Sequence, residues 1–153
     1  MTPEQRLAQL GHELPPAPAA VGSYVPFIRV GELVFTSGQL PVREGKLIVV
    51  GKVGSDLTIE QGAQAARVAV LNALAQLAAA AGGLSNVKGI VRIGVFVNSA
   101  PGFTDQAKVA NGASDLLIEV FGDAGRHVRA AVGASELPLN APVEIELIAQ
   151  VVG

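Results

Sequence analysis

Arg129 and the two carboxylates Glu144 and Glu146 have the types and spacing to do chemistry; they lie in the stretch Arg129–Glu146, RAAVGASELPLNAPVEIE. The stretch reads as two strands joined by a loop containing Pro and Asn. Successive side chains of a strand point to opposite faces. Arg129, Ala131 and Gly133 therefore share one face, and Val128, Ala130 and Val132 share the other. The cation is flanked on its own face by small residues, which leave room for a ligand. In the second strand Val143, Ile145, Leu147, Ala149 and Val151 line one face, with Glu144 and Glu146 opposite. Antiparallel pairing of the two strands would bring Arg129 close to one of these carboxylates. An Arg fork binds a carboxylate bidentately, and a nearby Glu can act as a base or hold a water. The competing reading is a cross-strand salt bridge on a solvated face, worth ~0–1 kcal/mol. Spacing alone favours that simpler reading.

The elements that must position these residues can be read in order. Pro3–Gly11 is a short amphipathic segment with Leu7, Leu10 and Leu14 at helical spacing, and Thr2 before Pro3 fits an N-cap. The Pro-rich run Leu14–Ala19 follows as a connector. Residues 1–19 are expected to be part of the single domain formed by residues 20–153. Ser23–Val30 and Glu32–Ser37 read as a hairpin around Gly31, and Gly45–Lys52 as a third short strand. Thr58–Ala81 is predicted as a helix, with a capping box from Thr58 and Gln61 and a stop at Gly82-Gly83. Val87–Asn98 is an Ile- and Val-rich central strand. Thr104–Phe121 is a second helix whose apolar stripe runs through Phe103, Ala107, Ala110, Ser114, Leu117 and Phe121. The order predicts an α+β fold, a mixed β-sheet with two helices packed on one face.

Composition narrows the function. At 153 residues, half of them hydrophobic, the chain is long enough for one domain with a proper core. A formal net charge of -2 without a basic face argues against nucleic acid as a partner. The absence of Cys removes disulfides, thiolate nucleophiles and Cys-based metal sites, and only two His remain. The N-terminal residues lack the pattern of a signal peptide. No apolar run reaches the roughly eighteen residues of a membrane span. Cytoplasmic location is the simplest expectation.

The pattern R-A-A-V-G-A-S-E-L, five residues, V-E-I, from Arg129 to Ile145, resembles the signature of the RidA/YjgF family of reactive-intermediate imine deaminases, once described as endoribonuclease L-PSP proteins. Thr36-Ser37-Gly38-Gln39-Leu40-Pro41 strengthens the resemblance, and Gly22-Ser23-Tyr24 and Asn111 echo it. The resemblance implies a chorismate mutase-like fold and a homotrimer with clefts between subunits. It implies that Arg129 grips the carboxylate of an imino acid or enamine and that Glu144 positions or activates the attacking water, with a small imino or keto acid as the partner. Tyr24, Ser37, Gly38, Asn111 and Ala131 would line the pocket, with Ala131 standing where the family often has Cys. The expected activity is hydrolytic deamination of 2-imino or enamine acids to 2-keto acids and ammonia, with no cofactor, metal, nucleic acid or membrane. A non-catalytic trimer that binds small carboxylates is the alternative. A ribonuclease is disfavoured, because no pair of His residues and no basic stripe serve RNA cleavage. His127 shares a strand face with Arg129 and reads as structural.

Overall fold

Capping chemistry sets the longest helix. The Thr58 hydroxyl accepts the Gln61 N–H at 3.1 Å, and the Gln61 side chain accepts the Thr58 N–H at 2.9 Å. Helix α2 (Ile59–Ala81) therefore begins where the sequence predicts, and it stops at Gly82 in the left-handed conformation, φ 79°. The same reciprocal box, from Thr2 and Gln5, opens α1 (Pro3–Gln9). Helix α3 (Gln106–Phe121) starts two residues later than expected, after Asp105, which supplies no side-chain cap. The computed structural model describes residues 1–153.

The strands are β1 (Phe27–Val30), β2 (Leu33–Thr36), β3 (Val42–Arg43), β4 (Lys46–Leu47), β5 (Val87–Asn98), β6 (Val128–Ala134) and β7 (Val143–Val151). Strands β1 and β2 form the expected hairpin, shorter at its outer end. Of the expected strand over Gly45–Lys52 only Lys46–Leu47 forms. Positive φ at Glu44 (54°) and Gly45 (80°) folds the chain back, so β3 and β4 make a separate two-stranded ribbon.

The main sheet has the order β1-β2-β7-β5-β6. The last two strands are therefore not neighbours, contrary to the hairpin that their closeness in sequence invites. Strand β5 lies between them, parallel to β6 and antiparallel to β7. Parallel strands need a crossover, and α3 supplies it from β5 to β6. The segment after β6 then passes over the end of β5. There the fully buried Asn98 donates to Asn140 Oδ1 and to the Ala141 carbonyl, both at 3.1 Å, and fixes that passage.

Both long helices cover one face of the sheet. Leu74 and Leu77 from α2 and Leu116 and Leu117 from α3 pack with Ile93, Ile145 and Leu147 of the sheet in one buried cluster. The helices approach so closely that a Cβ on Gly112 would stand 2.1 Å from the Ala63 carbonyl oxygen. Helix α1 joins the same cluster through Leu7, and Glu4 accepts the N–H and hydroxyl of Ser85 at 3.0 and 2.7 Å. The opposite face of the sheet is uncovered. One row across all five strands reads Ile28, Phe35, Ile148, Arg92 and Val128, and Ile28 and Val128 are exposed at its ends. No helix is long and apolar enough to cross a membrane.

Candidate functional site

Register decides where the two charges point. Residues paired across a sheet share a face. The fully buried Ile93 pairs with both Arg129 and Leu147, so Arg129 projects on the helix side. Phe96 pairs with both Glu144 and Val132, so Glu144 projects on the uncovered side. Within one chain Arg129 and Glu144 thus lie on opposite faces, two strands apart. The expected cross-strand meeting does not occur, because β5 intervenes.

Arg129 sits on an edge strand beside α3 and is exposed. Its Nη1 donates to Asn111 Oδ1 at 2.8 Å and to Ser114 Oγ at 3.1 Å. Nε and Nη2 make no hydrogen bond within the chain, and no carboxylate pairs with the guanidinium. The salt-bridge reading therefore fails for Arg129. Asn111 is an exposed helix residue that accepts from it, and Ala131, two residues along the same face, adds a half-buried methyl. Ser114, which helical spacing assigns to the apolar stripe of α3, is the neighbour that sequence reasoning misses. Its signal is a hydroxyl interrupting that stripe. His127, read as structural, also belongs here, with Nε2 2.9 Å from Ser114 Oγ.

Glu144 lies beside Gly38, and Ser37 comes with it as that glycine's chain neighbour. Gln39 bridges to Ile145 through paired backbone hydrogen bonds, which lays Gly38 beside Glu144. A Cβ on Gly38 would stand 2.6 Å from Glu144 Oε2, so only glycine leaves the carboxylate where it is. The Ser37 hydroxyl donates to the Val25 carbonyl at 2.6 Å and ties down the segment that carries the half-exposed Tyr24. Burial pushes Glu144 above the ordinary carboxylate range, and the negative charge of Glu146 on the same face adds to the rise. Glu146 is itself paired with Arg92 at 3.6 Å.

Six of the seven residues therefore fall into two half-sites. One holds a cation with an open fork (Arg129, Asn111, Ala131). The other holds a carboxylate of raised proton affinity (Glu144, Gly38, Ser37). The first can bind an anionic group, and the second can take a proton. Tyr24 is reached only through the segment that Ser37 ties down, and its hydroxyl accepts the Val21 N–H at 3.4 Å.

A family model described as "YjgF/chorismate_mutase-like, putative endoribonuclease" matches residues 4–151. The chain is 44% identical over 145 residues to protein TCP17 of Trypanosoma cruzi, covering 94% of this chain and 91% of that one. A crystal structure of a "putative endoribonuclease" from Shewanella oneidensis superposes with a TM-score of 0.96 at 44% identity, covering 99% of this chain and 100% of that one. The "putative reactive intermediate deaminase" TdcF of Escherichia coli is 32% identical over 133 residues, covering 87% of this chain and 90% of TdcF. Its crystal structure with bound serine superposes with a TM-score of 0.66 at 29% identity, over 88% of this chain and 92% of that one.

Proposed function

Because the chain belongs to the YjgF/chorismate mutase-like family, we propose that it is a homotrimeric hydrolase that deaminates reactive 2-imino or enamine acids to 2-keto acids and ammonia. The observation that carries this reading is the open fork of Arg129, an exposed guanidinium with no carboxylate of its own chain beside it. A small anionic ligand is the natural occupant. TdcF, whose structure holds serine, is a relative that takes a small molecule bearing a carboxylate.

The chemistry needs few parts. A 2-imino acid is already electrophilic at its imine carbon. Arg129 neutralises the substrate carboxylate and fixes its orientation. Glu144 takes a proton from water as the water oxygen bonds to the imine carbon. Proton transfer to the nitrogen then lets the C–N bond break, and ammonia leaves as the carbonyl forms. The raised proton affinity of Glu144 suits a group that accepts a proton and returns it.

The two half-sites complete one another only between copies. The uncovered apolar face of the sheet, with Ile28, Val128 and Val132 exposed, supports assembly on the side where Glu144 projects. In the proposed trimer each cleft takes Arg129 from one subunit and Glu144 from its neighbour. The endoribonuclease description in the family's name finds less support. The chain has two His, one following α1 and one preceding β6, and no basic stripe to hold phosphates.

The test is hydrolysis of 2-iminopropionate, generated in solution by an amino-acid oxidase, with semicarbazide trapping the imine that survives. The protein is expected to lower the trapped imine. Subunits carrying Arg129→Ala and subunits carrying Glu144→Gln, each strongly impaired alone, are expected to regain activity when unfolded together and reassembled. Failure of every 2-imino acid to react, with carboxylate binding retained, would replace the enzyme by a carboxylate-binding trimer. Failure of the mixture alone would refute the shared cleft. A gentler probe is Gly38→Ala. The added methyl meets the flexible end of Glu144, so the fold is expected to survive while the carboxylate moves. Turnover should fall about 10- to 100-fold with an unchanged melting temperature, and a normal rate would separate Glu144 from the reaction.

A further inference from the structure

Behind Arg129 runs a line of polar groups that the proposed chemistry does not use. His127 Nδ1 lies 2.7 Å from the Gly125 carbonyl oxygen. A carbonyl only accepts, so Nδ1 carries the hydrogen. In the Nδ1–H tautomer Nε2 is bare and faces Ser114 Oγ, 2.9 Å away, so the Ser114 hydroxyl donates to it. With its hydrogen committed there, the Ser114 oxygen accepts from Arg129 Nη1 at 3.1 Å. Every donor in the line points the same way: Arg129 to Ser114, Ser114 to His127, and His127 to a backbone carbonyl. The far end is rigid. Gly125 is buried, and a Cβ there would stand 2.2 Å from the Leu117 carbonyl oxygen of α3. Ser114 is itself buried, at 7% exposure.

We infer that Ser114 and His127 are positioning residues that lock Arg129 in one orientation and leave its Nε–Nη2 edge as the one that receives a substrate carboxylate. The inference rests on the reading above that Arg129 takes a carboxylate. Nη1 has two hydrogens, and Asn111 and Ser114 accept both. Nε and Nη2 remain, and together they form the side-on fork that matches the two oxygens of a carboxylate. An exposed Arg otherwise samples many rotamers, and ordering it on binding would cost affinity. The one-way line removes that cost before the ligand arrives. A serine in the middle of a helix and a histidine two residues before the arginine thus act on the ligand without touching it.

The experiment combines spectroscopy with ligand titration. The chain has two His, so the ring nitrogens of His127 are assigned in 15N-labelled protein by their loss in His127→Gln. The expected signature in the unaltered protein is protonated Nδ1 and bare Nε2. Titration with 2-oxobutyrate is expected to show affinity weakened about tenfold in both His127→Leu and Ser114→Ala, and restored in His127→Gln, whose side-chain oxygen can accept the Ser114 hydroxyl. In turnover the same variants should raise KM with kcat nearly unchanged. An Nε2–H tautomer in the unaltered protein, or unaltered affinity in both His127→Leu and Ser114→Ala, overturns the inference while Arg129→Ala still abolishes binding. Unaltered binding by Arg129→Ala overturns the parent reading and this one with it.

Discussion

Arg129→Ala is expected to lower kcat/KM for 2-imino acid hydrolysis about a hundredfold or more, with the fold intact. Two charge-assisted hydrogen bonds to the substrate carboxylate disappear, each worth about 1.5–3 kcal/mol, and about 2.7 kcal/mol already corresponds to a hundredfold. The fold has little to lose. Arg129 is exposed on an edge strand and forms no ion pair. When it is removed, Asn111 faces solvent and Ser114 keeps His127. Thermal unfolding should stay within about 0.5 kcal/mol of the parent. Arg129→Lys separates charge from shape, because an ammonium keeps the cation and lacks the planar fork. It should recover a minor part of the activity. Full activity in the lysine variant would show that charge alone matters, and full activity in the alanine variant would remove the site from this strand.

Glu144→Gln is the second large effect, a fall in kcat of about 10²–10⁴-fold, the usual contribution of a positioned acid–base group. Its signature is in the pH dependence. Burial first, and the Glu146 charge second, raise the proton affinity of Glu144 in the folded protein. The base acts when ionised, so the rate should climb with pH through a value above that of an ordinary carboxylate. The linkage to stability has the opposite sense. A carboxyl whose folded pKa exceeds its unfolded value favours folding while protonated, and that contribution is lost as pH rises through the folded value. Glutamine is neutral at every pH. The variant should therefore be slightly more stable than the parent at pH 7, with the difference closing in acid. Urea unfolding at two pH values reads this directly. A variant that is both active and less stable at neutral pH would contradict both halves of the assignment.

Local chemistry makes much of this fold legible in the sequence. The box from Thr58 and Gln61, the stop at Gly82 and the alternation of β7 are each written within a few neighbouring residues. Which residues of β6 share a face with Arg129 follows from period two alone. The side of the sheet that face takes does not, since Val128 and Val132 are the exposed ones. Nor does the partner of β6. Its residues look the same whether it closes a hairpin with β7 or joins β5 after a helical crossover. The choice is made at a distance, by α3 and by Asn98 holding the loop that passes over β5. The contact between Gly38 and Glu144 is hidden for the same reason, since more than a hundred residues separate them. Ser114 and His127 each look ordinary alone. Their meaning lies in a 2.9 Å separation that the turn Gly122–Gly125 creates by returning the chain against α3.

The placement of the two charges on opposite faces of one sheet has a consequence for mixed populations. In the proposed shared-cleft trimer a subunit would contribute its arginine to one cleft and its glutamate to another. A chain that folds and assembles but lacks both therefore spoils two clefts at once. In a cell that makes intact and defective copies together, the share of complete clefts falls as the square of the share of intact subunits. Under that proposal such an allele would be partially dominant, and an allele that merely fails to fold would not.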